Sequence, residues 1–309
     1  MLILSGDDVE ALLGDTVDLI EPLEAALRLY SSGACSVPPR VAARAPAGLL
    51  AAMPAYVPEI ALAAKLVSVF PANSLLPTHQ GVIGLFDERD GSLLSVMEGR
   101  HITARRAAAV SAISVRLLSP TQPRVLAVLG SGEQARAHLE LLPTTSSFAQ
   151  IRLAARSSQR AASLARLIPN CQVMESLEAA TRGADVVVCC TDASEPVLER
   201  SWLSSGAHVI SVGSGAELDP VIVELGHLFV EWRGAATFPP PAGASELQGV
   251  EPGRITELGE VLAGIRPGRQ SDSELTVFKS TGLGVEDAAV ARFVYREARE
   301  RHLGQSVPW

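Results

Sequence analysis

A glycine-containing turn near the middle of the chain constrains its fold more than any other stretch. Val125–Leu129 is entirely apolar, as expected of a buried parallel strand, and the turn follows it directly. Gly130 allows a tight turn, Gly132 lets backbone approach a pyrophosphate without a Cβ in the way, and Ala135 allows the next helix to pack closely. Unpaired N–H groups at the start of that helix would bind phosphate. The pattern predicts dinucleotide binding.

The composition indicates a foldable globular protein, with 47% hydrophobic and 19% charged residues in 309. The net charge of −8 gives no reason to expect nucleic acid or an anionic membrane as a partner. Asp7, Asp8 and Glu10 stand where a signal peptide needs basic residues, and no apolar run is long enough to span a membrane. The four cysteines lack metal-ligand spacing. We expect a soluble cytoplasmic protein without a metal.

Strand and helix patterns alternate from residue 124 onward, which predicts a parallel α/β sheet. The expected strands are 125–129, 151–155, 184–191, 209–212, 228–231 and 275–279. Ligands of such sheets bind at the carboxyl ends of the strands, where Thr191 and the glycine turn would meet. Residues 233–256 contain a Pro-Pro-Pro run and are expected to form a long loop.

A lysine interrupts one of the apolar runs of the N-terminal half. Strands are predicted at 49–56 and 61–70, followed by a hairpin of 82–86 and 93–97, and Lys65 lies within the second strand. Such a lysine either faces solvent from a sheet edge or points into a site. The residues alone leave both interpretations open.

Two arginines are expected at the start of a helix. Thr103 can cap a helix over 104–118, and Arg105 and Arg106 would then open it against the helix dipole. Arginines in this position are more easily tolerated where they bind an anion. Two solvated surface arginines are the alternative.

The end of the second Rossmann strand bears on the choice of cofactor. NAD sites usually place an acid there to bind the ribose 2′-hydroxyl. The run from Ala154 to Arg160 contains no acid, but it contains Arg156 and Ser157. Two arginines and hydroxyls suit a 2′-phosphate, so NADP(H) is favoured over NAD(H).

Several separate stretches, in consistent order over nearly the whole chain, resemble the ornithine cyclodeaminase/μ-crystallin family. They are Pro38–Arg40, Leu62–Val67, Pro77–Gln80, Leu85–Met97, Ile102–Ala112, the Gly130 turn with Gln134 and His138, and Thr276–Asp287. The stretch Thr78–Ala112 is most similar to the μ-crystallin-type ketimine reductases.

The resemblance implies an α/β protein with a Rossmann domain and a second α/β domain that binds substrate and forms a homodimer. We therefore expect 121–285 to be the Rossmann NAD(P)-binding domain, and 1–120 with 286–309 to be the second domain. The resemblance also implies nicotinamide-dependent chemistry at the C–N bond of small amino acids or cyclic imines.

The resemblance carries site residues with it. Arg40, Lys65 and Arg106 match the family's cluster for the substrate carboxylate, position 106 by its T-x-x-R spacing from Thr103. Arg156-Ser157 resembles the pair that holds the 2′-phosphate. The residues expected to bind the cofactor are Thr78, Arg105, Gly130, Gly132, Gln134, Arg156, Ser157, Arg160 and Thr191.

One departure from the family separates three functional hypotheses. Ornithine cyclodeaminase carries an acid–base Asp just after the glycine that ends this strand, and here Ser214 follows Gly213. The leading hypothesis is an imine reductase or amino-acid dehydrogenase in which Lys65 completes the carboxylate clamp or protonates the nascent amine. A second is an NADPH-binding protein with little turnover. A third is a cyclodeaminase that uses Glu217 or Asp219 as the acid.

Overall fold

The computed structural model describes residues 1–14, 16–213 and 215–308. Its strands are β1 (Leu2–Leu4), β2 (Val41–Ala45), β3 (Gly48–Val57), β4 (Ala61–Val69), β5 (His79–Phe86), β6 (Leu93–Glu98), β7 (Val125–Leu129), β8 (Gln150–Ala154), β9 (Cys171–Val173), β10 (Val186–Cys189), β11 (His208–Ser211), β12 (His227–Val230), β13 (Ile255–Glu257), β14 (Thr276–Lys279) and β15 (Gln305–Ser306). Its α-helices are α1 (Gly6–Leu13), α2 (Ile20–Ser31), α3 (Arg100–Leu118), α4 (Glu133–Thr145), α5 (Ser158–Ala165), α6 (Leu177–Thr181), α7 (Pro220–Leu225), α8 (Gly234–Thr237), α9 (Leu258–Leu262) and α10 (Gly284–Arg301).

The contacts within the chain divide it into two compact units. Unit 1 contains residues 1–106 and the described residues from 282 onward, and unit 2 contains residues 107–281. The domain boundaries expected from the sequence, at 120/121 and 285/286, stay a prediction, because a grouping of contacts does not show which segments fold independently.

Unit 2 is built on an eight-stranded parallel sheet in the order β13-β12-β14-β11-β10-β7-β8-β9. The strand order reverses at β7, which pairs with β8 on one side and β10 on the other. Both faces of β10, β11 and β14 are buried, as the apolar runs predicted. This is the Rossmann-type arrangement expected from the sequence, with a ligand crevice expected beside the end of β7.

Unit 1 contains a seven-stranded sheet in the order β15-β1-β6-β5-β4-β3-β2. Neighbouring strands are antiparallel except for β1 and β6. Helix α10 packs on β3 and β4, and α2 packs on α10. Alternate residues of the strands, such as Met53, Ile83 and Met97, are buried on this face.

The other face of the unit 1 sheet is apolar and exposed. Val41, Ala52, Leu66 and Val82 stand opposite one another across β2, β3, β4 and β5. Leu50 lies on the same face, and Val41 and Leu66 are 65% and 42% exposed. A continuous apolar sheet face of this kind usually marks an interaction surface.

The helix that carries the two arginines begins earlier than predicted. It starts at Arg100, because the Glu98 carboxylate accepts hydrogen bonds from the N–H groups of Arg100 (2.7 Å) and His101 (3.1 Å). Thr103 is therefore not its cap, and its hydroxyl donates to the Gly99 carbonyl at 2.7 Å. The following two arginines lie in the second turn of α3, where the dipole argument does not apply.

The segment predicted as a long loop contains several short elements. Helix α8, two 3₁₀ turns (Ser245–Leu247 and Pro252–Arg254) and the start of β13 occupy residues 233–256. Ala235, Ala244 and Leu247 are buried. Elements of three or four residues are too short to show periodicity, so the Pro and Gly content dominated the sequence pattern.

Phe278 tests the packing of the unit 2 sheet. It is fully buried in β14 between β11 and β12, and Phe278→Ala should lower the free energy of unfolding by about 3–5 kcal/mol because apolar contact is lost and a cavity remains. Leu225→Ala is the control, because Leu225 is 58% exposed, and its effect should stay within about 0.5 kcal/mol. Urea unfolding followed by circular dichroism measures both, and equal effects would contradict this packing.

Candidate functional site

Lys65 points into the interior of unit 1. It lies in β4, a central strand of the sheet, and is 3% exposed, so the interpretation as a solvent-facing edge lysine is wrong. Its Nζ donates to Asp287 Oδ1 at 2.8 Å and lies 2.7 Å from Oδ2. Thr103 Oγ1 accepts a longer hydrogen bond, at 3.4 Å. The described residues thus give two partners for the three N–H bonds of the ammonium group, which leaves one for a ligand.

Arg106 lies beside this pair and is also buried. Its Nη1 donates to Glu286 Oε2 at 2.7 Å, and its Nε lies 3.5 Å from Asp287 Oδ1. Glu286 and Asp287 are in the first turn of α10 and are almost fully buried. Buried carboxylates need such cationic partners, because removing one partner would leave an uncompensated charge.

Arg40 joins the cluster through the turn that precedes α10. Its Nη2 donates to the Gly282 carbonyl at 3.0 Å. Gly282 has a φ of +72°, and a Cβ there would collide with the Arg106 guanidinium. Glycine is therefore required at this position by conformation and by space. The structure brings Arg40, Lys65 and Arg106 together, while their role toward a substrate stays a prediction.

The surroundings of Lys65 make its ammonium group a weaker base than usual. The pKa of Lys65 is lowered from 10.5 to about 8: burial is the largest cause, the positive charges of Arg106 and Arg40 also lower it, and Asp287 opposes them. A side chain with a pKa near 8 can both hold and release a proton close to neutral pH.

The two carboxylates of this cluster were not assigned a role from the sequence. Glu286 and Asp287 occupy the first turn of a helix, where acids are common because they complement the helix dipole. Because acids are common in this position, their presence in the sequence does not indicate that they are buried. The apolar residues around them, such as Val285 and Val290, offered the signal that this turn is enclosed.

The glycine turn of unit 2 fits a bound pyrophosphate. Gly130 has a φ of +129°, and a Cβ there would collide with the Cys190 carbonyl. Among the residues that the structure describes, none lies within 4 Å of a Cβ built at Gly132, and none caps the N-terminus of α4 with its side chain, so this helix start can accept a phosphate. The buried Gln134 Oε1 has no hydrogen-bond partner among the described residues. The turn therefore fits the dinucleotide that the sequence predicted.

Two exposed arginines lie beyond this turn in unit 2. Arg156 follows β8, and Arg160 lies in the first turn of α5. Ser157 caps α5 by accepting a hydrogen bond from the Arg160 N–H at 3.3 Å. Arg160 and Ser131 line an open cavity of about 500 Å³, together with Gln159, Ser163, Leu164 and Leu167. None of these side chains is acidic, and the preference for NADP(H) that the sequence indicated stays a prediction.

Glu217 is held in place by four donors at the carboxyl ends of β10 and β11. Its Oε1 accepts from the N–H and hydroxyl of Thr191 at 2.6 and 2.7 Å, and its Oε2 accepts from Ser211 Oγ and Gly213 N–H at 2.7 and 2.8 Å. Asp219 caps α7 by accepting from the Val221 N–H at 2.9 Å. Both acids considered as replacements for the missing Asp thus have structural partners. Ser214 itself lies outside the described residues.

Lys279 completes this network and was not singled out from the sequence. It is 2% exposed, and its Nζ donates to Ser211 Oγ and to the Gly213 carbonyl, both at 2.8 Å. Its charge is paired with Glu246 at 2.6 Å. Gly213 is therefore held through its N–H by Glu217 and through its carbonyl by Lys279.

The remaining predicted cofactor residues belong to unit 1. Thr78 is exposed, with its hydroxyl 3.1 Å from His79 Nδ1, and Arg105 is half-buried on α3. Their cofactor roles stay predictions. Within the described ranges we find neither a group of three or more metal-binding side chains nor a helix long and apolar enough to cross a membrane.

Comparison with known proteins identifies relatives over the full length of the chain. The ornithine cyclodeaminase/mu-crystallin family model matches residues 1–302. The mouse ketimine reductase mu-crystallin is 39% identical over 305 residues, covering 94% of this chain and 96% of that protein. The structure of Thermococcus litoralis Δ1-pyrroline-2-carboxylate reductase with NADH and L-proline superposes with a TM-score of 0.93 at 31% identity, covering 99% of this chain and 100% of that one.

A second solved structure extends the comparison. An archaeal alanine dehydrogenase dimer with bound NAD has a TM-score of 0.89 at 29% identity, and the match covers 100% of this chain and 99% of that one. Relatives of this chain thus include imine reductases and an amino-acid dehydrogenase. On the family match and the 39% identity, the chain belongs to the ornithine cyclodeaminase/mu-crystallin family.

Proposed function

We propose that this protein is an NAD(P)H-dependent reductase of small imine carboxylates, working in reverse as an amino-acid dehydrogenase. The observation that carries the proposal is the group of the buried Lys65 and Arg106 with the half-buried Arg40 in unit 1, in a chain whose relatives are named ketimine reductase and pyrroline-2-carboxylate reductase. In this proposal 1–120 and 286–309 form the substrate domain, and 121–285 forms the cofactor domain.

The three cations divide the work of binding and proton transfer. Arg40 and Arg106 bind the substrate carboxylate by charge-assisted hydrogen bonds, which fix the orientation of the imine. The remaining N–H of Lys65 donates its proton to the imine nitrogen. A carboxylate beside the two arginines offsets the positive charges that lower the pKa of Lys65, so Lys65 is most firmly protonated when substrate is in place.

The cofactor residues of unit 2 hold the reductant. When bound, a reduced nicotinamide supplies the hydride that is added to the imine carbon. Gly130, Gly132 and the N-terminus of α4 bind its pyrophosphate. The clamped backbone at Gly213 gives the site a fixed surface at the ends of β10 and β11.

Steady-state oxidation of NADPH with cyclic imine carboxylates of five- and six-membered rings tests the proposal. We expect turnover that falls above pH 8, because Lys65 must be protonated to act as the acid and its pKa is about 8. Arg40→Ala and Lys65→Ala should each lower kcat/KM by at least about 100-fold, the order of magnitude for losing a positioned charged group. Their affinities for NADPH should stay within about threefold of wild type, since neither residue is among those predicted to bind the cofactor.

Arg44→Ala is the matched control, because Arg44 is an exposed arginine of β2. Its kinetics should equal those of the wild type. An absence of turnover over imines, and over keto acids with ammonia, would leave NADPH binding without catalysis and would refute the reductase. Formation of proline and ammonia from ornithine would instead support the cyclodeaminase, although Glu217 and Asp219 are both engaged.

Cofactor choice gives a second prediction, since the proposal includes a preference for NADPH. Arg156→Ala and Arg160→Ala should each weaken NADPH binding by about 10-fold or more, because a hydrogen bond to a charged group contributes about 1.5–3 kcal/mol. NADH binding should change little. Arg166→Ala is the control, since Arg166 lies at the other end of α5. Equal affinities of the wild type for NADH and NADPH, measured by fluorescence titration, would refute the preference.

We also propose a homodimer formed through the apolar sheet face of unit 1. The exposed row of Val41, Leu66 and Val82 supports it, as does the dimeric alanine dehydrogenase relative. Leu66→Glu should yield a monomer in sedimentation equilibrium, because it places a charge in a desolvated contact. Leu225→Glu, at an exposed leucine of α7, should leave the dimer intact. A wild-type monomer at micromolar concentration would contradict the proposal.

The cytoplasm is the compartment that we propose for this protein. All four cysteines are free, and two of them are buried in unit 2. Thiols of this kind persist in a reducing compartment.

A further inference from the structure

Lysine is rare in this chain and is confined to two enclosed positions. Lys65 and Lys279 are the only lysines among 26 lysine and arginine residues, and they are 3% and 2% exposed. Each is paired with a carboxylate, Asp287 at 2.7 Å and Glu246 at 2.6 Å. Arginine cannot exchange its proton near neutral pH, whereas a buried lysine can. A buried lysine paired with one carboxylate is therefore a group whose proton transfer depends on that carboxylate.

Asp287 is the carboxylate in direct contact with Lys65. Both of its oxygens lie within 2.8 Å of Nζ, and its side chain is 2% exposed. The other charged groups around Lys65 are Arg106 on α3 and Arg40 ahead of β2, both cations. Glu286, the neighbouring acid on α10, pairs with Arg106 at 2.7 Å. Without Asp287, burial and two cations would all favour a neutral amine.

We infer that Asp287 is the positioning residue of the proton donor: it aims the Lys65 ammonium group and keeps it charged until the substrate nitrogen takes the proton. The inference rests on the proposed function. In the step itself an Nζ–H bond of Lys65 breaks, the proton goes to the imine nitrogen, and Nζ keeps the electron pair. Water reprotonates the amine before the next turnover. Asp287 neither gives nor takes a proton in this step and does not touch the substrate.

The same carboxylate connects the donor with the carboxylate clamp. Asp287 Oδ1 accepts from Lys65 and lies 3.5 Å from Arg106 Nε. Asp287 lies in the first turn of α10 and contacts both cations. The inference thus assigns to α10 the spacing between the bound carboxylate and the donated proton.

The charge state of Lys65 can be measured without activity. In full-length protein labelled with ¹³Cε-lysine, NMR should show two lysine side-chain signals, and Lys65→Arg identifies the Lys65 signal. Asp287→Asn should lower the titration midpoint of Lys65 by at least about one pH unit, because a contacting opposite charge is lost. The Lys279 signal should follow the same pH course in both proteins. An unchanged Lys65 midpoint in folded Asp287→Asn would overturn the inference.

Glu286→Gln is the matched control, since it removes the adjacent carboxylate, which contacts Arg106 instead. Its effect on the Lys65 midpoint should be less than half that of Asp287→Asn, and equal effects would show a general charge effect and overturn the inference. Asp287→Glu, the second variant, keeps the charge and should leave the midpoint within about half a unit of wild type. A midpoint lowered by a full unit in that variant would also contradict the inference.

The kinetic readout separates this inference from the proposed function. In Asp287→Asn the alkaline limb of the kcat profile, normalised to its own plateau at low pH, should move to lower pH by the same amount as the NMR midpoint. A shifted NMR midpoint with an unmoved alkaline limb would overturn the role of Asp287 in proton delivery. If the wild type reduces no imine, the proposed function fails, while the NMR titration still decides whether Asp287 sets the charge of Lys65.

Discussion

The buried pairing of Lys65 with Asp287 is the interaction on which the rest of unit 1 depends. It joins the centre of the antiparallel sheet to the first turn of α10, and the adjacent pair of Arg106 and Glu286 joins α3 to the same turn. Each pair is enclosed, so each charge needs its partner to remain in the fold. Because these charges are enclosed, a negative charge that arrives beside them changes the protonation of Lys65 strongly. A substrate carboxylate would bring such a charge.

Buried charged side chains also fix the backbone in unit 2. Glu217 and Lys279 hold the backbone of Gly213 through its N–H and its carbonyl, at the carboxyl ends of β10, β11 and β14, the edge of a Rossmann sheet where ligands bind. The acids that could have replaced the missing cyclodeaminase Asp are thereby engaged in structure.

Much of the fold followed from the sequence, since long buried strands have strong patterns. The strand at Val125–Leu129 is where the apolar run predicted it, and Gly130 has the positive φ that a tight turn requires. What the sequence could not show was set by tertiary contacts. The helix of Arg106 begins at Arg100 because a Glu98 side chain caps it, and Asp287 looked like an ordinary helix-start acid until its burial was seen. Lys279 escaped attention because a lysine at the end of a strand usually reaches solvent.

Membership of the ornithine cyclodeaminase/mu-crystallin family fixes the fold, whereas the reaction depends on which group delivers the proton and where the hydride is added. Incubation with (4-²H)NADPH of both stereochemistries and a cyclic imine carboxylate, followed by mass and NMR analysis of the product, tests this most directly. We expect one deuterium at the α-carbon from one of the two stereoisomers, and loss of this product in Lys65→Ala. Deuterium-free product from both stereoisomers, or undiminished labelling in Lys65→Ala, would contradict it.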